Sequence, residues 1–339
     1  MVEENTVLTS TIIALIVSAI GSYISYFFSI KKADKDARRD YEYEAKKRLY
    51  QECEPILFEF SELSESALKR IYALAKNARE GNLGPDRYWL STDHYFIRST
   101  IYRLIAPLAA FKLLQHKLTN IDLKMDYSIN IQYILAKILY YTFSSSPDLA
   151  KSNPAIFYDP DQIGTDLSLT ESDKKQMREK YPERFFIQGL KVGNLDVLSE
   201  SLIVESGKDA RIKSFGEFEI EFLKNKESDP DKKKFEIFIT MFSFFHPKTR
   251  PVLWRVLITQ AFLYKAIMNI RNTENLSLAS FDDIKNFFDI EKTKTKCDWR
   301  QYNERVSNEE FDIHFKAAED YLRNCFIDAY EFKQLQYKS

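Results

Sequence analysis

From Val7 to Ile30 the chain carries no charged residue, in the run VLTSTIIALIVSAIGSYISYFFSI. A helix needs about 20 residues to cross the hydrocarbon core of a bilayer, and this run is longer. A buried helix of a soluble core would show a polar stripe, and none is visible here. A cleaved signal peptide wants a basic start, whereas Met1-Val2-Glu3-Glu4 is acidic, and the run continues past the small residues Ala19 and Gly21 to Phe28. The pattern predicts a retained transmembrane anchor over 1–30. Lys31, Lys32, Lys35, Arg38 and Arg39 follow it, and no Lys or Arg precedes it. That asymmetry puts the N-terminus outside and the rest of the chain in the cytoplasm. Within the run, Ser10, Ala14, Ser18 and Ser22 recur one helical turn apart, with Gly21 and Ser25 in a neighbouring row. Small residues at this spacing let two helix backbones approach where lipid supplies no hydrophobic drive, which makes self-association of the span one reading; a lipid-facing helix that happens to contain small residues is the other.

Beyond the run, residues 31–80 read as a charged juxtamembrane helix. Leu49, Ile56 and Leu63 lie seven apart, and Cys53, Phe60, Ala67 and Leu74 form the companion row. Such a seam suits a short parallel coiled coil or, as we read it, an amphipathic helix packed on the body. Pro55 predicts a kink or a fresh helix start, and Gly81-Asn-Leu-Gly84-Pro85-Asp86 predicts the end.

Residues 81–339 read as a cytosolic helical domain. Tyr95 to Phe143 is helical in pattern, with a wide stripe at Ile101, Leu104, Ile105, Leu108, Phe111 and Leu114 that Pro107 should kink. IQYILAKILYYTF predicts a fully buried helix, too short to span a membrane. Residues 144–182 are rich in turn formers and predict an irregular excursion, with Thr170 to Asp173 capping a short helix inside it. Helical spacing resumes from Gly193 through Val204. SFGEFEIEFLKN fits both strand alternation and a helix face, and the lack of a second alternating segment favours helix. KNKESDPDKKK reads as a solvated loop. FEIFITMFSFFHP and PVLWRVLITQAFLYKAIMNI are core segments, the second carrying Arg255 and Lys265. Ser280-Phe-Asp-Asp283 and Ser307-Asn-Glu-Glu310 predict helix starts, the latter opening a helix to about Tyr330. The expected fold is all-α: one transmembrane helix followed by a cytosolic multi-helix domain.

Composition adds limits. Lys plus Arg total 49 against 50 for Asp plus Glu, so no bulk field points to nucleic acid. A chain 45% hydrophobic and 14% aromatic can build a large core. Cys53, Cys297 and Cys325 form no pairable framework, which suits a reducing compartment.

Catalytic and cofactor motifs are missing: no HExxH, GxxxxGK[ST], GxGxxG or GxSxG occurs, and no cofactor or metal is expected. Glu310 and His314 lie one turn apart, but a pair is short of a metal site and reads as a surface contact. Asp122 and Asp126 read as a loop or cap. The distinctive stretch is His246-Pro-Lys248-Thr-Arg250-Pro-Val-Leu-Trp254-Arg255. Pro251 suits the first turn of a helix, whose free N–H groups and positive dipole end attract anions. His246, Lys248, Arg250 and Arg255 are therefore candidate anion-binding residues. The competing reading is a structural corner, with Arg250 paired to a carboxylate and Trp254 in the core.

FHPKTRPVLWRVLITQ and YRLIAPLAAFKLLQHKLTNIDLKMD resemble segments of an uncharacterised family of bacterial single-span, membrane-anchored helical proteins. The resemblance implies a bacterial inner membrane and no activity. Two function classes follow. One is a membrane-anchored interaction module (scaffold, sensor or effector) with an unidentified protein partner. The other is a tethered enzyme or anion- or nucleotide-binding protein with a helical pocket. The missing motifs favour the first.

Overall fold

The structure, a computed structural model, describes residues 2–83, 90, 94–118, 123, 126–156, 188–206, 209–224, 230–270 and 306–337. Side chains of 2–17, 19, 24, 206, 209, 224, 230–234, 270, 308 and 326–337 fall outside that description. The described elements are α1 (Val2–Arg79), α2 (Tyr95–Lys117), α3 (Tyr127–Tyr141), a 3-10 turn (Thr142–Ser144) and α4 (Ser146–Lys151). They continue with α5 (Val192–Glu200), β1 (Ile203–Ser206), β2 (Asp209–Ile212), α6 (Phe215–Lys224), α7 (Pro230–Phe242), α8 (Pro251–Ile270) and α9 (Asn308–Tyr337). The fold is mainly helical, as expected.

Helix α1 changes character along its length. Ile20, Tyr23, Tyr26, Phe27 and Phe28 are exposed, at 54%, 70%, 65%, 48% and 67%. From Lys31 to Arg48 it remains almost wholly exposed and polar, braced by pairs such as Arg38–Glu42 at 3.0 Å. At a rise of 1.5 Å per residue this free stretch is about 27 Å long. From Leu49 onward the same helix enters the core: Leu49, Cys53, Phe60, Ala67, Ile71 and Leu74 are buried. The seam thus packs on the body, against α2 and α8. Pro55 lies inside continuous helix, so no fresh start occurs there. Gly81, at φ 70°, closes α1, and the Asn82 amide bonds back to the Asn77 carbonyl at 2.8 Å. Among the described residues no helix is long and apolar enough to cross a membrane, and the side chains of 7–17 lie outside them.

The centre of the body is α8. Pro251 fits its first turn, and Val252 to Tyr264 are buried on every side. Helices α1, α3, α4 and α9 surround it, while α2 packs on α1, α3, α5 and α7. Helix α3, expected to be fully buried, instead leaves Tyr127, Ser128 and Lys137 exposed while burying Leu135, Ala136, Leu139 and Tyr140. It flanks the central helix, so only one face meets the core. Its first turn is capped by Asp126, which accepts from the Ile129 amide at 3.0 Å. Pro107 is likewise accommodated within α2, whose buried face from Ile101 to Leu114 offsets one lost hydrogen bond.

Two segments depart from expectation. Residues 203–206 and 209–212 form an antiparallel strand pair in which Ile203 pairs with Ile212 and Val204 with Arg211, where helix was read as far as Val204. The strands have four residues each, too short to display alternation. The helix reading holds for α6, which carries a capping box: the Ser214 amide donates to Glu217 at 2.8 Å and the Glu217 amide to Ser214 Oγ at 3.3 Å. The loop read over 224–234 ends sooner, because Pro230 opens α7 and Asp231 to Lys234 are already helical. The predicted cap of α9 is present: the Ser307 amide donates to Glu310 at 2.7 Å and the Glu310 amide to Ser307 Oγ at 3.3 Å. That helix extends to Tyr337, beyond the expected Tyr330. Most of the excursion, with Thr170 to Asp173, and the start at Ser280 lie outside the described residues, as do Cys297 and Asp122.

Candidate functional site

The corner between α7 and α8 brings the four sequence candidates close in the chain, but His246, Arg250 and Arg255 are buried and only Lys248 is partly exposed. Phe244 turns the backbone with φ 53°, a conformation costly for a side-chain-bearing residue, and its amide donates to the Leu90 carbonyl at 3.0 Å. His246 is 3% exposed, and its Nδ1 accepts from the Lys248 amide at 3.1 Å. Arg250 is 1% exposed and donates to the carbonyls of Met241 and Ser243 at 2.7 and 2.9 Å. Its charge therefore closes the C-terminal end of α7, where carbonyls gather. Lys248 reaches Glu310 at 3.5 Å, with both side chains half-exposed.

The helix start is also taken. Gln188, 4% exposed, accepts from the Val252 amide at 2.9 Å, so a side chain from another segment fills the place proposed for an anion. Neighbouring Gly189 permits this approach: a Cβ there would lie 2.0 Å from Ser146 Oγ. Trp254 packs between Phe245 and Phe311, at ring centroid distances of 6.2 and 5.4 Å.

Arg255 points away from the corner, about 100° round the helix from Trp254. It is fully buried and gathers the end of α4, donating through Nη1 to the carbonyls of Leu149 at 2.8 Å and Ser152 at 3.0 Å, and through Nη2 to Pro154. Its Nε donates to His314 Nδ1 at 3.3 Å. Burial, helped by the Arg255 charge, pushes the His314 imidazole down to about 3. His314 therefore stays neutral and is an acceptor for Arg255. Glu310 serves the α9 cap and Lys248, and among the described residues no group of three metal-ligating side chains occurs.

A surface groove of about 300 Å³ runs between α1 and α3, bounded by Tyr50, Glu54, Phe58, Asp126 and Gln132. Tyr50 donates to Asp126 at 2.6 Å, and Lys46 stands 3.8 Å from the same carboxylate. Burial works to raise Asp126, but the Tyr50 hydroxyl, the Ile129 amide and Lys46 together hold it below the usual carboxylate range. These contacts fasten the start of α3 to α1.

Of the small residues in the span, Ser18 and Ser22 are exposed, and the side chains of Ser10 and Ala14 lie outside the description. Sequence reasoning missed Gln188 and the cluster of Lys112, Tyr140 and Asp196, in which Lys112 meets Asp196 at 2.6 Å and Tyr140 donates to the same carboxylate. It also missed Arg70, Ser99 and Arg103. No family model, curated protein or solved structure matches the chain.

Proposed function

We propose that the protein is a membrane-anchored interaction module, held in a bacterial inner membrane by residues 7–30, with its N-terminus outside and its helical body in the cytoplasm. The observation that supports this reading is the course of α1. Between Ile20 and Ile30 its large apolar side chains are exposed, whereas from Leu49 the same helix is buried in the body. Exposed aromatic and aliphatic residues in this number are costly in water, and lipid is the solvent that suits them. The charged stretch Lys31–Arg48 then acts as a stalk about 27 Å long, polar all round as a water-exposed helix should be. The buried arginines at the α7–α8 corner hold backbone carbonyls, so the geometry there favours a structural role over a ligand site. The body would serve as scaffold, sensor or effector for a protein partner, with homo-oligomerisation through the span.

Reporter fusions after Ser339, combined with alkaline carbonate extraction of membranes, test this. A cytoplasmic reporter should be active and the protein should remain in the membrane pellet. Release by carbonate would sink the anchor, and activity from a periplasmic reporter alone would sink the orientation.

A further inference from the structure

Arg70 is 5% exposed, and its Nε is buried with no hydrogen-bond acceptor. Its Nη2 donates to Ser99 Oγ on α2, and its guanidinium lies 5.8 Å from the Phe96 ring centre. Arg98 has Glu219 at 3.2 Å, and Arg250 and Arg255 have backbone carbonyls; Arg70 has one hydroxyl. Arg103 stands one turn after Ser99 on the same face of α2, half-buried. Among the described residues neither Arg70 nor Arg103 is in a salt bridge. The helix positions one turn to either side are Ser66, Ala67, Ala73 and Leu74 around Arg70, and Ser99, Thr100, Ala106 and Pro107 around Arg103. None is acidic. Burial and then the Arg103 charge push the Arg70 guanidinium down to about 10. No acid occupies the first turn of α2 either, and its N-cap residue His94 makes no side-chain cap bond, so the positive end of that helix adds to the same field.

A buried guanidinium without a counter-charge is costly, and a like charge beside it makes it more so. An anion would supply what both lack. We propose that Arg70, Arg103 and Ser99 form a site for a phosphate group, borne by a small soluble molecule. Guanidinium forks match phosphate oxygens two at a time, and the Ser99 hydroxyl adds a donor or relays one. Half-buried Arg103 is the open side. A lipid headgroup is the poorer source, because Arg70 lies 40 residues beyond Ile30 on one helix, about 60 Å at 1.5 Å per residue.

The test uses the full chain in detergent, with inorganic phosphate as the probe and ionic strength held constant by chloride. Phosphate should raise the melting temperature of the parent saturably, and calorimetry should show binding. Arg103→Gln should weaken that binding by about tenfold or more while leaving the phosphate-free protein as stable or slightly more so, because a like charge is removed. Arg103→Lys should fall between the two, keeping charge but losing the fork. Arg70→Met should abolish the response without lowering phosphate-free stability; if that variant does not fold, the Arg103 pair decides. A parent indifferent to phosphate overturns the site, as does a response unchanged in both Arg103 variants.

Discussion

Arg255 and His314 show what a buried charge can do without an acid beside it. The arginine satisfies the carbonyls of Leu149, Ser152 and Pro154, and the imidazole accepts from its Nε. Arg255→Met would leave those carbonyls without donors and should cost about 3 kcal/mol or more, read as a loss of denaturation midpoint. The same pair predicts a pH dependence. His314 has a folded pKa of about 3, below its unfolded value near 6.5. As pH falls through 6.5 the unfolded chain takes up the proton first, so stability declines from there toward pH 3. The slope approaches about 1.4 kcal/mol per pH unit for one proton, or about 2 kcal/mol between pH 6.5 and 5. His314→Asn keeps an acceptor for Arg255 and removes the titration. Chemical denaturation at pH 7 and pH 5 should show the variant losing less stability than the parent, and equal losses would refute the assignment.

Helix α1 carries a proline on its exposed side where continuous helix persists. Pro55 forfeits one hydrogen bond and crowds the preceding turn, a penalty of up to about 3 kcal/mol that the buried residues on either side outweigh. Pro55→Ala should therefore raise the unfolding midpoint. A drop would mean that the proline itself helps to seat α1 on α2. The same helix shows how far the sequence could be read. Its seam was legible because Leu49, Ile56 and Leu63 repeat every seven residues, and Leu49 and Ile56 are buried with Leu63 partly so. The next step of that row is Arg70, and a charge at an apolar step is a signal that the periodicity itself contained. His246 to Arg255 concentrates more basic residues and is the louder signal in the sequence. Counting charges could not reveal that Arg250 would face carbonyls or that Gln188, some sixty residues earlier, would fill the helix start. Caps were legible because Ser214 with Glu217 and Ser307 with Glu310 act within one turn. The strand pair of β1 and β2 was not, since strands of four residues hold too few positions to separate a period of two from one of 3.6.

At the scale of the molecule, one helix joins three environments: an apolar stretch, a polar stalk and a packed body. The helix is exposed from Lys31 to Arg48, which separates the proposed span from the packed body. If two copies associate, the contact most accessible to them is the span itself. Ser18 and Ser22 are exposed, and Ser10 and Ala14 precede them in the sequence at the same four-residue spacing. Replacing Ala14 and Ser18 together by Leu should hold the backbones apart and weaken dimers trapped by crosslinking in membranes. Anchoring should be unaffected, since the change adds apolar surface. An oligomer unchanged by the double substitution would move the interface to the body. A parent that is monomeric at every protein density would end the idea of self-association, while leaving the anchor and the phosphate site to stand on their own tests.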